Sequence, residues 1–287
     1  MSPQIDENVL ASQYGFALAV LNSDVELSSK FHQAVAETWG VDRFTAEIRS
    51  TRWFAAHSEA WRNATILKAT DPASYNAGIS KVGAKLAMMA SEMGAQLGGS
   101  YNNLVESAYH FGWDDNEMRQ NLAAYVHYTD GRMLGQAGQW EADWRKLAAD
   151  DGLSLSAKWY EDQAKTTAHG YKTAADVRSD ITNMAVSAFP HLADRLRTGD
   201  TLATIADPYK QTMASLLELN PDAITMGDPT IRTALASKDA KGQPALQTLF
   251  DFENTVRKDA RWNGTKNAQD AAMSNTKRVL NDLGVLA

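Results

Sequence analysis

Helix start signals recur along this chain and limit what it can fold into. Asp or Asn stands directly before proline at Asp71-Pro72, Asp207-Pro208, Asn220-Pro221 and Asp228-Pro229. The Asp or Asn side chain can accept from free N–H groups of a first helical turn, and proline at the first helical position has no N–H to leave unpaired. No run of alternating β-branched residues between hairpin turns competes with this pattern. The sequence therefore predicts an all-α fold, a multi-helix array of short and medium helices.

Further signals place individual helices. A glycine followed by a hydrophobic residue predicts a helix end with the glycine in the left-handed region, at Gly40-Val41, Gly112-Trp113, Gly152-Leu153 and Gly284-Val285. Capping boxes are predicted at Ser23–Glu26 and Asp114–Glu117. Because the stops are unequally spaced, we interpret them as ordinary helix ends and not as an internal repeat. Helices are predicted over residues 7–21, 23–39, 72–94, 100–111, 114–128, 136–149, 155–168 and 173–188.

Flexible breaks divide the chain into three predicted regions. The run Leu97-Gly-Gly-Ser100 ends an N-terminal helical region, residues 1–97. Pro190 and the Thr198-Gly199-Asp200 turn end a middle helical region, residues 98–197, and leave a C-terminal helical unit, residues 198–287. In the first region, Gly78 and Gly83 keep parts of the surface of a long helix thin, which predicts close helix–helix packing, either inside the molecule or between copies.

Composition excludes several classes of protein. The chain of 287 residues is 44% hydrophobic, enough for proper cores, and its lack of cysteine excludes a disulfide scaffold, a thiolate metal site and a cysteine nucleophile. No basic leader opens it, and the apolar run from Phe16 to Leu21 is too short for a membrane span. A net charge of −7 without a basic block argues against extended contact with nucleic acid. We expect a soluble protein without a membrane span.

The search for catalytic or metal-binding residues gives weak candidates. Glu106, His110 and Asp114 are spaced by four, but Gly112 interrupts the helix, and we interpret them as an ordinary polar stripe. Ser274-Asn-Thr-Lys277 matches the Ser-x-x-Lys pattern of penicillin-recognising enzymes without their other elements. No dinucleotide, phosphate-loop or nucleophile-elbow motif is present in the sequence. We therefore predict no enzyme activity, no cofactor and no metal.

The eight tryptophans are interpreted mainly as rings that cover helix corners, since most stand beside predicted helix ends. Trp262 is predicted to anchor the C-terminal unit by filling space beside Ala268 and Ala272 of the last helix. The candidate packing or interface residues are Trp53, Trp113, Tyr209 and Trp262.

A local resemblance concerns residues 199–224. The run Gly199-Asp-Thr-Leu-Ala-Thr-Ile-Ala206, followed by Tyr209-Lys-Gln-Thr-Met-Ala-Ser-Leu-Leu-Glu-Leu-Asn220-Pro221, resembles the core of a LysM peptidoglycan-binding module. That module is a βααβ unit, so the resemblance implies strands here and binding to the cell wall. The sequence departs from the module at Asp207-Pro208, at Lys210 in place of glycine, and after Ile224, where the closing strand is missing.

A second resemblance covers most of the chain. Its stretches are Leu21-Asn-Ser-Asp24, Phe31-His-Gln-Ala-Val, Thr51-Arg-Trp-Phe, Thr70-Asp-Pro-Ala-Ser-Tyr75, Ala206-Asp-Pro-Tyr209 and Asp251-Phe-Glu with Arg257-Lys-Asp-Ala-Arg-Trp262. They resemble helical structural proteins of tailed bacteriophages that infect actinobacteria. This resemblance implies a virion structural or assembly protein, made in the host cytoplasm, whose partners are other virion proteins, in multiple copies, in the tail, connector or capsid interior. A peptidoglycan-binding module attached to a phage tail or cell wall is the alternative.

Overall fold

The described part of the chain is mostly helical. The computed structural model describes residues 6–283 and is 72% helical. The only strands in that described range are β1 (Ser237–Lys238) and β2 (Pro244–Ala245), which pair antiparallel with Ser237 opposite Ala245. The predicted all-α fold is therefore confirmed.

Two compact units make up the chain. The first runs up to Gly138 and also includes Ala168–Gly170, and the second comprises Gln139–Thr167 together with the residues from Tyr171 onward. Helices on both sides of residue 97 pack together within the first unit, where the helix Pro72–Met93 contacts the helices Tyr101–Phe111 and Asp115–Ala123. The division into regions 1–97, 98–197 and 198–287 stays a prediction.

The first unit is built from short helices around one long one. A hydrophobic core among α1 to α5 buries Leu27, Phe31 and Phe44 completely. On α7, a Cβ at Gly78 would lie 2.5 Å from Cε2 of Tyr109, so the glycine lets α8 approach closely, as predicted. The helices are α1 (Glu7–Gln13), α2 (Leu18–Leu21), α3 (Val25–Ala36), α4 (Val41–Arg49), α5 (Arg52–Ala56), α6 (Glu59–Thr70), α7 (Pro72–Met93), α8 (Tyr101–Phe111) and α9 (Asp115–Ala123), with a 3-10 turn at Gly98–Ser100.

The second unit is centred on α14, whose buried face carries Leu202, Ile205, Tyr209 and Met213. Residues of α12, α15 and α16 complete this core, including Ile231 and Phe252. The elements after α9 are α10 (Gly135–Asp150), α11 (Ala157–Ala168), α12 (Ala174–Ala188), α13 (Ala193–Arg197), α14 (Leu202–Leu217), α15 (Pro229–Leu235), α16 (Leu249–Val256) and α17 (Lys266–Asp282), with 3-10 turns at Pro190–Leu192, Pro221–Ala223 and Ala260–Gly264.

Several predicted helix ends are confirmed. Asp71 caps α7 by accepting from the Ser74 N–H at 3.0 Å, and α7 ends at Gly94 with φ of 83°. Asp114 and Glu117 form the predicted capping box of α9. Gly112 and Gly152 both adopt positive φ. Each of these signals depends only on groups within one turn of chain, which is why the sequence predicts them. The stop at Gly284-Val285 lies outside the described residues.

Other local predictions are wrong near the N-terminus. The helix predicted over 7–21 is two helices, because Gly15 takes φ of 79° between α1 and α2. The capping box at Ser23 is also wrong. Asp24 caps α3, while the Glu26 carboxylate accepts from the Arg52 N–H at 2.7 Å. The left-handed residue after α3 is Thr38, with φ of 52°, and Gly40 is extended.

Two more corrections concern the second unit. Asp207-Pro208 does not start a helix: Pro208 lies inside α14, which Thr201 caps. The proline removes one backbone N–H from the helix, but burial of Ile205 and Tyr209 on either side keeps the segment helical. Trp144 does not cover a helix corner, because it lies in the middle of α10 and is 1% exposed.

Residues 199–224 fold differently from a LysM module. They form the single helix α14 and the 3-10 turn at Pro221–Ala223, with no strand between 199 and 224. Asn220 accepts from the Asp222 N–H, so the Asn-Pro pair starts a turn and not a long helix. The matching apolar positions Ile205 and Leu217 belong to the core of the second unit.

Candidate functional site

Trp53 and Trp113, two of the four candidate residues, belong to the first unit. Trp53 is 7% exposed, and its ring lies edge-on to Trp61 with centroids 6.1 Å apart. Trp113 follows the glycine that ends α8, is half-buried, and donates its backbone N–H to the Ala108 carbonyl at 2.9 Å. Trp53 is thus a core residue at the edge of a cleft described below, and Trp113 lies at a helix corner.

Tyr209 and Trp262 belong to the second unit. Tyr209 is 6% exposed, meets Phe252 edge-to-face at 5.1 Å, and donates its hydroxyl to the Gln247 carbonyl. Trp262 is half-buried and packs against the same core. The four candidates are therefore divided between the two units. Whether each serves packing or an interface stays a prediction.

A polar cluster that the sequence did not predict lies among α6, α7 and α8. Lys68 Nζ is 3.2 Å from Glu106 Oε1 and 5.2 Å from the centre of the Tyr75 ring. The Tyr75 hydroxyl is 2.9 Å from His110 Nε2, and the Tyr75 side chain is buried. Because Lys68 and His110 are 42 positions apart in sequence, only helix packing brings these groups together.

Burial favours the neutral forms of two members of this cluster, His110 and Tyr75. It lowers the pKa of His110, an effect that nearby Lys68 reinforces and Glu106 opposes. Burial also raises the pKa of the Tyr75 hydroxyl. The Nε2 of neutral His110 can accept a hydrogen bond from the Tyr75 hydroxyl, whereas both nitrogens of the protonated ring can only donate. The folded state therefore favours neutral His110.

This preference makes stability depend on pH. The pKa of a histidine in the unfolded chain is about 6.5. Below that pH the unfolded chain takes up a proton that folded His110 resists. The stabilisation is therefore complete above a pH of about 6.5 and is lost as the pH falls through the lowered pKa of His110.

We expect the urea midpoint of the wild type to fall more steeply between pH 7.5 and 5.5 than that of His110→Gln. His32→Gln, at an exposed histidine, is the control and should keep the wild-type slope. Equal slopes for the wild type and His110→Gln would contradict the assignment.

The metal and nucleophile patterns do not assemble into sites. Glu106 pairs with Lys68, His110 contacts Tyr75, and Asp114 caps α9. Between residues 6 and 283, no group of three His, Asp or Glu side chains could hold a metal ion. Ser274 and Lys277 lie on the exposed surface of α17, and no hydrogen bond joins them.

The base of α17 is fixed by a reciprocal pair of caps. Glu218, which ends α14 with φ of 55°, accepts from the N–H groups of Lys266 and Asn267 at 3.1 and 2.8 Å. Asn267 Nδ2 in turn donates to the Ser215 and Leu216 carbonyls. Free carbonyls at the end of one helix and free N–H groups at the start of the next are thus satisfied together. Sequence reasoning missed Glu218, because a left-handed glutamate leaves no local signal.

Beyond this base, α17 exposes an apolar stripe. From Gln269 to Leu283 every residue is exposed except Leu280, which is half-buried. Met273, Val279 and Leu283 are 59%, 55% and 70% exposed. At 100° per residue these side chains share one side of the helix with Ala272, Thr276 and Leu280, while charged Asp270, Lys277 and Arg278 lie outside that arc. We call Ala272, Met273, Thr276, Val279, Leu280 and Leu283 the α17 stripe. It is the candidate functional surface.

Comparisons with known proteins found no match to this chain. No protein-family model, curated protein or solved structure matches it. Among the helices of residues 6–283, none combines the length and apolar character that crossing a membrane requires.

Proposed function

We propose that this chain is a structural or assembly protein of a tailed bacteriophage virion, acting through protein–protein contacts in the tail, connector or capsid interior. The observation that carries the proposal is the α17 stripe, an exposed apolar helix face on a fixed base. The resemblance of most of the chain to structural proteins of phages that infect actinobacteria supports the same class of function.

The physical argument starts from the cost of exposing the stripe. Contiguous apolar surface on a soluble protein marks a site that a partner covers. Seventeen residues make α17 about 25 Å long at ~1.5 Å per residue. Between Ala272 and Leu283 the stripe places a side chain every three or four residues, all apolar except Thr276, and such a face suits docking against a groove or helices of a neighbouring protein. The caps at Glu218 and Asn267 hold the first turn in place before the partner arrives, which lowers the entropy lost on binding.

The proposal gives the chain no catalytic role. Lys68, Tyr75, Glu106 and His110 satisfy one another, and neutral His110 has a structural reason for its lowered pKa. Peptidoglycan binding is not favoured either. Within residues 199–224 the apolar positions that resemble LysM, such as Ile205 and Leu217, are buried in the core of the second unit.

The test is whether virus particles contain the protein. Particles of the phage that encodes the chain should be purified on a density gradient and their proteins quantified by mass spectrometry. We expect the chain to copurify with the major capsid and tail proteins in multiple copies per particle. A phage replication protein serves as the control for carry-over from the lysate. Recovery of the chain at the level of that control would exclude a structural role.

A further inference from the structure

A cleft in the first unit combines an apolar floor with a charged rim. It lies among α4, α5 and α6, has a volume of about 540 Å³, and contains no residue of the α17 stripe. Ligand sites typically have ~300–1,000 Å³, apolar walls and a few polar groups that fix orientation. We call it the α4–α6 cleft. Its floor is Phe16, Ile48, Trp53, Phe54 and Ile66, and its rim is Thr45, Arg49, Glu59, Arg62 and Asn63.

The floor is rigid. Ile48 and Trp53 are 2% and 7% exposed and belong to the core among α1 to α5. Phe16, Phe54 and Ile66 are half-buried against that core, so each keeps part of its surface open to the cleft. An apolar side chain entering here would exchange water for contacts with side chains that are already ordered.

Arg62 is held in place beside this floor. Its Nη1 donates to the Phe54 carbonyl at 2.9 Å and also to the His57 carbonyl. Its guanidinium lies 3.6 Å from the centre of the Phe54 ring. These contacts use only one of the three guanidinium nitrogens, and Nε and Nη2 have no partner within residues 6–283. Arg62 is therefore a positioned cation whose Nε and Nη2 donors can still bind a ligand.

Three other rim side chains lack a polar partner within residues 6–283, and the rim as a whole carries a net positive charge. The side chains of Arg49, Glu59 and Asn63 form no ion pair or hydrogen bond with the described part of the chain. With Arg49 and Arg62 opposed only by Glu59, the rim has two positive charges and one negative charge. A carboxylate is the group that such a rim attracts. The Asn63 amide and the Glu59 carboxylate can pair with backbone amides, as a peptide ligand requires.

We propose that the α4–α6 cleft binds a peptide segment of a partner protein in which a large apolar side chain stands beside a carboxylate. The apolar side chain occupies the floor, and the carboxylate bonds to Arg62 and Arg49. The inference rests on the proposed function only in taking the ligand to be another protein of the assembly. It adds a second contact site, of different chemistry, to the α17 stripe.

The test uses two small probes of matched shape. N-acetyl-L-phenylalanine carries the ring and the carboxylate, and N-acetyl-L-phenylalaninamide carries the ring without the charge. Titration of the full-length protein, followed by NMR or calorimetry, should show saturable millimolar binding of the acid. We expect about tenfold weaker binding of the amide, the usual order for losing a charge-assisted hydrogen bond. Equal binding of both probes, or no saturable binding of the acid, would overturn the proposal.

Two variants locate the binding. Arg49→Gln should weaken binding of the acid by about tenfold, and Thr45→Trp should fill the cleft and abolish it. Arg43→Gln is the matched control. Arg43 lies on the same helix but pairs with Glu37 and covers Trp39, and it is absent from the rim. Unchanged binding in both cleft variants overturns the assignment. Since the assay needs no virus particle, its failure is distinguishable from absence of the chain from virions.

Discussion

Replacing Val279 by lysine is expected to abolish incorporation of the chain into virus particles while leaving its melting temperature unchanged. Val279 is 55% exposed in the free chain, so its substitution creates no cavity and buries no charge. In the assembled particle the same position would lie under a partner, where an unpaired ammonium group is desolvated at a cost of several kcal/mol. The variant should be supplied in place of the wild type during infection and its amount per particle measured by mass spectrometry.

Ser274→Lys is the matched control for this prediction. Ser274 lies on the same exposed helix but on the side away from the stripe. Ser274→Lys introduces the same charge on the same helix, so any effect of net charge is shared by the two variants. Incorporation of Ser274→Lys at the wild-type level, together with loss of Val279→Lys, would assign the effect to the apolar face. Equal incorporation of both variants would exclude the α17 stripe as the contact surface.

The part of the fold that follows from local chemistry could be predicted from the sequence. Examples are the Asp71-Pro72 start, the Gly94 end and the Asp114–Glu117 capping box. Each involves groups within a few residues of one another, so the local sequence determines its geometry. The lack of alternating β-branched runs likewise sufficed for the all-α class. These signals predict where helices begin and end, but they do not predict which helices pack against each other.

Long-range contacts override local signals elsewhere. Glu26 has the spacing of a capping-box partner, but its carboxylate binds the Arg52 N–H 26 residues away. The first N–H of α14, that of Leu202, is satisfied by the buried side chain of Asp151, 51 residues earlier. Neither partner could be identified without the fold. Local cap patterns therefore fail where a distant group offers a better hydrogen bond.

The candidate surfaces were predicted least well, for a physical reason. An apolar pattern at spacings of three and four predicts an amphipathic helix, but it does not say whether its apolar side meets the same chain or another protein. The sequence predicts that Trp262 fills space beside Ala268 and Ala272 of the last helix, but it does not predict that the surface of this helix beyond Ala268 is largely exposed. The α4–α6 cleft combines residues of α4, α5 and α6 with Phe16 from the connection between α1 and α2, so no single motif contains it.

Trp144→Ala should produce the largest loss of stability among single substitutions of the tryptophans. The side chain is 1% exposed, and its Nε1 donates to the Ala174 carbonyl at 3.4 Å. Truncation leaves a cavity the size of an indole and removes that donor. Changes of buried large aromatics to alanine typically cost ~3–5 kcal/mol. We expect the transition of the second unit in urea, followed by far-UV circular dichroism, to move to clearly lower denaturant.

Two companion variants test the reason for this loss. Trp262→Ala, at a half-buried ring on the same unit's core, should lower the free energy of unfolding by less, because part of that ring already faces water. Trp144→Phe keeps one ring in the site but loses the rest of the indole and the Nε1–H, so its cost should be smaller, about 0.5–3 kcal/mol, the usual range for a single destabilising substitution. The order Trp144→Ala, Trp144→Phe, wild type, from least to most stable, would assign the main effect to packing. A Trp144→Phe variant as unstable as Trp144→Ala would contradict this assignment, because phenylalanine keeps an aromatic ring in the site and alanine does not.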